Sequence, residues 1–122
     1  MSHTAKIKPM FFDESAVIAA AKEMGAEIVR GKLNLYESGS TVENGFGVKL
    51  PGWQYPVIID CQTGEASYDN FNGHWGEAAH LTQFKKLYAA CKLTADYQRK
   101  GWLVSRSVKP TGEIKLQITG HA

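Results

Sequence analysis

Cysteine is scarce in this chain, and a long apolar run is missing. Only Cys61 and Cys91 occur among the 122 residues, and the first residues contain no apolar stretch. We therefore expect no signal peptide and no disulfide framework, but two free thiols in a reducing compartment. No stretch approaches the roughly 20 apolar residues that a membrane-spanning helix needs. These shortages predict a cytoplasmic protein with no membrane partner.

A strong charge of one sign is also absent. The formal net charge is +2 with the histidines neutral, so no long-range field draws the protein toward nucleic acid or an anionic membrane. Hydrophobic residues make up 43% of the chain and charged residues 21%, which is an ordinary globular composition. We predict a single domain, residues 1–122, built around one core.

Two segments have the pattern of α-helices. Asp13 can cap a helix that begins near Glu14, and Gly25 stands where a left-handed residue would end it after Met24. Residues 77–100 contain no proline or glycine, and their apolar residues recur every three or four positions, which predicts a long amphipathic helix. The predicted apolar stripe of that helix consists of Leu81, Phe84, Tyr88, Cys91 and Ala95.

Strand patterns occupy most of the remaining chain. The predicted strands cover residues 5–12, 28–36, 46–50, 55–61 and 65–70, followed by a final hairpin over residues 102–118. Gly64 lies in the turn most in need of a positive φ angle, and residues 38–45 are predicted as the least structured stretch. The order is β-α-β-β-β-β-α-β-β. We predict an α+β fold with two helices packed on one face of an antiparallel, twisted sheet, and a ferredoxin-like arrangement is one variant.

The junction before the long helix is the strongest candidate for a functional surface. Its candidate ligand or partner residues are Tyr68, Asp69, Phe71, His74 and Trp75. A strand-to-helix junction selects polar residues such as Asp69 for turns and caps, but it does not explain the aromatic cluster. An Asp69 and His74 pair could perform general acid–base chemistry in a small enzyme, and Cys61 could add a nucleophile. No complete catalytic motif accompanies them.

Metal and cofactor signatures are incomplete, so we predict no metal site and no cofactor. His74 and His80 are six residues apart, whereas helical metal ligands pair at four. Residues 45–50 begin like a dinucleotide fingerprint, but Leu50 stands where its third glycine belongs.

Nucleic-acid binding is an alternative function for the basic flank of the long helix. Lys85, Lys92 and Arg99 recur every seven residues, although Asp96 interrupts the stripe. Aromatic residues such as Trp53 could stack on bases if they emerge on an open sheet face. An RNA- or DNA-binding module is therefore the second hypothesis.

The long helix is apolar on more than one side, which predicts a second contact. Its apolar residues away from the main stripe are Ala79, Ala90, Leu93 and Tyr97. Either another part of the chain covers them or they meet a partner, with Leu93 and Tyr97 as interface candidates. Our leading hypothesis is a binding or adaptor protein that acts through protein–protein contacts, including self-association, without intrinsic catalysis.

Positions along almost the whole chain carry a resemblance to a known family. They are Ile7, the helix from Asp13 to Gly25, the Tyr68 to Trp75 junction, Phe84-Lys85-Lys86-Leu87-Tyr88-Ala89, Gly101, Gly112 and Ile114-Lys115-Leu116. With these features the chain resembles the hypothetical chloroplast reading frame family, found in cyanobacteria, red-algal plastids, other bacteria and some of their phages. The family's function is unknown, so the resemblance implies no reaction and no catalytic residue. It does imply a plastid stroma, or a host cytoplasm for a phage copy, as other locations.

Overall fold

A computed structural model describes residues 5–7, 10–35, 40–68, 77–111 and 113–120. The structure contains two helices, a four-stranded antiparallel sheet that the three-residue strand Ala5–Ile7 extends at one edge, and a separate β-hairpin, so the predicted α+β class is confirmed. The elements are β1 Ala5–Ile7, α1 Glu14–Met24, β2 Glu27–Leu35, β3 Ser40–Lys49, β4 Val57–Asp60, β5 Glu65–Tyr68, α2 Ala78–Arg99, β6 Leu103–Val108 and β7 Ile114–Thr119.

The predicted strand over residues 5–12 is wrong in extent. Among the described residues of this stretch, only Ala5–Ile7 pair with the edge of the sheet, along β5. The chain then leaves the sheet, and Phe11 enters the core with 0% exposure. The amides of Met10 and Phe11 both donate to the carbonyl oxygen of Gly64, at 2.9 and 3.0 Å. The order from α1 onward is α-β-β-β-β-α-β-β, and the first predicted strand, expected over residues 5–12, is reduced to the three residues Ala5–Ile7.

The sheet is a meander, which rules out the ferredoxin-like variant. Strands β2, β3, β4 and β5 pair in sequence, each antiparallel to the next. A ferredoxin-like fold instead inserts helices between strands of one sheet. Here α2 leads out of the meander to β6 and β7, which form a two-stranded sheet of their own.

Both helices share one core with a single face of the meander. Their buried residues are Ala16, Val17, Ala20 and Ala21 on α1 and Leu81, Phe84, Leu87 and Tyr88 on α2, and the sheet contributes Phe46, Val48, Val57, Ile59 and Ala66. Phe11 packs between the layers, with ring centroids 5.6 Å from Phe84 and 4.9 Å from Tyr88. The Tyr88 hydroxyl accepts a hydrogen bond from the Asp13 amide at 3.2 Å, which ties α2 to the start of α1.

Capping chemistry fixes the bounds of α1 as predicted. Asp13 adopts an extended conformation, and its side chain accepts from the Ala16 amide at 3.2 Å. Gly25 has φ +72°, the left-handed conformation that ends a helix at low cost for glycine. The prediction of a helix from Glu14 to Met24 is confirmed.

Strand β3 begins earlier than its apolar residues indicate. Its pairing with β2 runs to Leu35 opposite Ser40, whereas its pairing with β4 covers only residues 46–48. The prediction that residues 38–45 are the least structured stretch is therefore wrong from Ser40 onward, and residues 38 and 39 lie outside the described residues. Backbone hydrogen bonds of the ladder, rather than side-chain alternation, define this part of the strand. Gly45 fits against β2, because a Cβ there would lie 2.8 Å from Cδ1 of Leu33.

Candidate functional site

Only the first residue of the predicted junction surface belongs to the described residues. Asp69, Phe71, His74 and Trp75 lie outside them, and so does the predicted Asp69 and His74 acid–base pair. Tyr68 ends β5 and is half-buried. Its ring packs edge-on against Trp53, with centroids 5.8 Å apart and planes at 60°.

Trp53 positions both ends of the segment between β5 and α2. Its indole N–H donates to the carbonyl oxygen of Glu77 at 3.1 Å, just before α2 begins. Its side chain is 2% exposed, so the suggestion that Trp53 stacks on bases from an open sheet face is wrong. Gly52, which precedes Trp53, has φ +76°, in the left-handed region that favours glycine. The sequence signal for this role is an aromatic residue after a Pro-Gly turn.

The predicted basic stripe is largely engaged in ion pairs. Lys92 lies 3.1 Å from Asp96 and 3.4 Å from Asp13, and Arg99 also pairs with Asp96. The hydrogen bond between Lys92 and Asp96 lowers the pKa of Asp96 and raises the pKa of Lys92. Lys85 is half-buried. Two of the three predicted nucleic-acid contacts thus share one carboxylate, and Lys92 also joins α2 to the cap of α1.

The sequence predicted Cys91 as a member of the apolar stripe. In the structure its thiol belongs instead to a polar cluster. Its thiol donates to Oε2 of Glu23 at 3.1 Å, and Glu23 also pairs with Arg106. Nη2 of Arg106 lies 3.7 Å from the Cys91 sulfur. Burial raises the pKa of the Cys91 thiol, and the bond to Glu23 raises it further. The cluster joins α1, α2 and β6 at one point.

Cys61 lines a cleft of about 620 Å³ between the start of α1 and the β4–β5 turn. Burial raises the pKa of its thiol, and the neighbouring carboxylate of Glu14 raises it further. Glu14 itself pairs with Arg30 at 3.0 Å, and that guanidinium lies 4.7 Å above the Phe46 ring. A raised pKa keeps the thiol protonated, which is the opposite of what a cysteine nucleophile needs.

A second concave surface lies between α2 and β7 and is mostly apolar. This groove has a volume of about 360 Å³ and is lined by Lys86, Ala89, Ala90, Leu93, Glu113, Ile114 and Leu116. Leu93 is 46% exposed in this groove, whereas Ala90 is buried, with 5% of its surface exposed. The hairpin therefore provides part of the second contact predicted for α2, and the remainder forms the groove.

Tyr97, the other predicted interface residue, makes contacts at the end of α2. Its ring packs edge-on against Trp102 with centroids 6.3 Å apart, and Nζ of Lys100 lies 5.6 Å from the ring centre. Its carbonyl oxygen accepts from the Trp102 amide at 3.1 Å. Tyr97 thus shapes the turn from α2 into the hairpin, next to the groove residue Leu93 but in a different environment.

Exposed apolar side chains concentrate around the groove and the hairpin. Apart from Phe12, the large exposed hydrophobic residues of the described chain are Leu93, Trp102, Leu103 and Val108. Strand β7 pairs with β6 along one edge and with no other strand among the described residues. We call the concave surface between α2 and β7, together with the open edge of β7, the α2–β7 groove.

Among the described residues, no three potential metal ligands lie together. No helix in the described ranges is long and apolar enough to cross a membrane. Comparison with protein-family models, with curated proteins and with solved structures finds no match. The resemblance to the hypothetical chloroplast reading frame family therefore stays a prediction from the sequence.

Proposed function

We propose that this protein is a non-catalytic binding protein that docks a protein partner in the α2–β7 groove. The observation that carries the proposal is the position of Leu93, which is 46% exposed in the lining of a mostly apolar groove whose other wall, β7, has an open edge among the described strands. Exposed apolar surface that is contiguous with an unpaired edge is typical of interaction sites.

The hairpin gives a physical reason for a partner. An isolated two-stranded sheet is marginally stable in water and needs a hydrophobic surface or further strands. Ile114, Leu116 and Ile118 face inward but are only half-buried, because α2 covers this side of β7 incompletely. A partner that completes the cover removes apolar surface from water, which favours binding by about 25 cal/mol of free energy for each Å² buried.

The alternatives have weaker physical support. Cysteine catalysis is disfavoured because the pKa values of both thiols, Cys61 and Cys91, are raised. Nucleic-acid binding is disfavoured because Lys92 and Arg99 both pair with Asp96, which reduces the net charge that a phosphate backbone would meet.

A charge placed in the groove tests the proposal. Leu93→Lys introduces an ammonium group into the apolar surface, and Gln98→Lys adds the same charge at an exposed position of α2 outside the groove lining. Both variants and the unaltered protein are used to capture partners from extracts of the source cells, with quantitative mass spectrometry as the readout. We expect a captured partner to be lost with Leu93→Lys and retained with Gln98→Lys.

Two outcomes contradict the proposed function. One is equal capture by Leu93→Lys and the unaltered protein. The other is an unaltered protein that captures no partner and also stays monomeric. Circular dichroism of each variant checks that Leu93→Lys, a substitution at a half-exposed site, leaves the fold intact.

A further inference from the structure

We infer that the occupant of the α2–β7 groove is a second copy of this chain, whose β7 pairs antiparallel with β7 of the first copy about a two-fold axis at Leu116. This inference rests on the proposed function of the groove and adds the identity of the partner. It joins two hairpins into one four-stranded sheet with both copies of α2 on the same side.

The outer edge of β7 has few of the features that protect a strand edge. Natural edge strands are blunted by proline, bulges, short length or several charges. Residues Ile114–Thr119 pair with β6 at six consecutive positions without a register shift, contain no proline and carry a single charge, on Lys115. The edge therefore offers a regular row of backbone donors and acceptors to another strand.

The alternation along β7 limits the register of such a pair. Residues directly opposite each other lie on the same face of a sheet. For the groove faces of both copies to lie on one side, half-buried residues must meet half-buried residues. An axis at Leu116 meets this condition, because it places Ile114 opposite Ile118 and Lys115 opposite Gln117.

The neighbouring registers are less favourable. An axis at Lys115 places two lysines directly opposite each other, which destabilises a strand pair. An axis at Gln117 brings Gly120 into the ladder, although its φ of +61° is outside the extended region. The Leu116 axis avoids both problems.

The charges around the groove match a second copy better than a strongly acidic or basic peptide. The groove lining holds one cation and one anion, Lys86 and Glu113. In the Leu116 register, Glu113 comes opposite Thr119 of the other copy. Within its own copy Glu113 pairs with Lys109 at 3.4 Å, so the groove presents no strong charge of either sign, and each copy carries a formal charge of only +2.

Mass measurement provides the first test. Light scattering after size exclusion should give twice the chain mass of 13.5 kDa, with the dimer fraction rising with concentration. Leu93→Lys should shift the equilibrium toward monomer at least several-fold, and Gln98→Lys should not. A protein that stays monomeric up to millimolar concentration overturns the inference.

Cysteine pairing tests the register itself. Lys115→Cys and Gln117→Cys are prepared separately, and both positions are exposed on the outer face of the hairpin. The 115 position of one copy should face the 117 position of the other, at a Cα separation compatible with a disulfide. Mild oxidation should cross-link an equal mixture of the two variants several-fold faster than either variant alone. The unaltered protein gives the background from Cys61 and Cys91.

The results separate the inference from the proposed function. Cross-linking of either single variant as fast as that of the mixture would place the copies in another register and overturn the inference. A monomer that nevertheless captures a partner through Leu93 would also overturn it, while the groove's binding function would stand. A monomer without a captured partner would remove both.

Discussion

The indole N–H of Trp53 donates to the carbonyl oxygen of Glu77 across 24 positions of sequence, at a distance of 3.1 Å. The same ring packs edge-on against Tyr68, at 5.8 Å between centroids. One buried side chain therefore fixes the end of β5 and the start of α2.

Two substitutions of Trp53 should destabilise the protein to different extents. Trp53→Phe removes the hydrogen bond and part of the packing, and should lower the free energy of unfolding by about 1–2 kcal/mol. Trp53→Ala should lower it by about 3–5 kcal/mol through the cavity it leaves. Urea unfolding measures both, with the exposed neighbour variant Gln54→Ala as control. A Trp53→Phe protein as stable as the control would show that the lost hydrogen bond contributes nothing to stability.

Two glycines with the same backbone angle should respond differently to alanine. Gly64 and Gly52 both have φ +76°, which costs an alanine about 1 kcal/mol at either site. A Cβ at Gly64 would lie 2.5 Å from the Phe12 ring, whereas nothing lies within 4 Å of one at Gly52. We expect Gly64→Ala to lose about 1 kcal/mol more than Gly52→Ala in urea unfolding.

The extra loss should disappear when Phe12 is also truncated. In a Phe12→Ala background, Gly64→Ala should cost no more than Gly52→Ala, because the contact no longer exists. If the extra loss persists in that background, the Phe12 ring is not its cause.

The Glu23 and Arg106 pair should make stability depend on acid pH. The bond from Arg106 lowers the pKa of Glu23 in the folded state. The unfolded chain therefore binds more protons at low pH, and the contribution of the pair is present above about pH 4.3 and lost as pH falls through the folded pKa. Because the Glu23 side chain is 39% exposed, solvent screening limits this contribution to about 0.5 kcal/mol.

Unfolding of Glu23→Gln at neutral and acid pH measures that dependence. The variant should be less stable than the unaltered protein at neutral pH, and the difference should shrink as the solution becomes acidic. Glu27→Gln, on the exposed face of β2, controls for the loss of one negative charge. A difference that is constant with pH would exclude the pair as its source.

The Cys91 thiol should react slowly, and Glu23 should be one cause. The hydrogen bond to Glu23 stabilises the protonated thiol and raises its pKa. Glu23→Gln removes the carboxylate and leaves the Arg106 guanidinium beside the sulfur, which should lower the pKa of the Cys91 thiol. Alkylation of Cys91 near pH 8 should therefore accelerate several-fold. Peptide mass spectrometry follows both thiols, and Cys61 is the internal control. Equal acceleration of both would indicate general loosening.

Local chemistry made parts of this fold predictable from the sequence. The bounds of α1 follow from the cap at Asp13 and the left-handed Gly25, and the hairpin of β4 and β5 turns at Gly64 as predicted. Each of these features depends on residues within a few positions of one another. Strand β3 was predicted only in part, since its polar first half depends on pairing with β2.

The long-range contacts could not be predicted from the sequence. Glu23 is 68 positions from Cys91 and 83 from Arg106, so no spacing pattern connects the three. The stripe places Cys91 on an apolar face but does not show that two charged residues meet it there. In the candidate site, the second apolar side of α2 predicted the contact that Leu93 borders, whereas the identity of β7 as its other wall required the tertiary structure.

The separation of the hairpin from the meander has a consequence for local unfolding. Strands β6 and β7 pair only with each other among the described strands, and they join the remaining protein through α2 and the pair of Arg106 with Glu23. Such a unit opens with a smaller free energy than the whole domain. Its amides should exchange with solvent before those of β3 and β4, and docking in the groove should slow exchange most strongly in β7. The free energy of binding would then first stabilise the folded conformation of the hairpin.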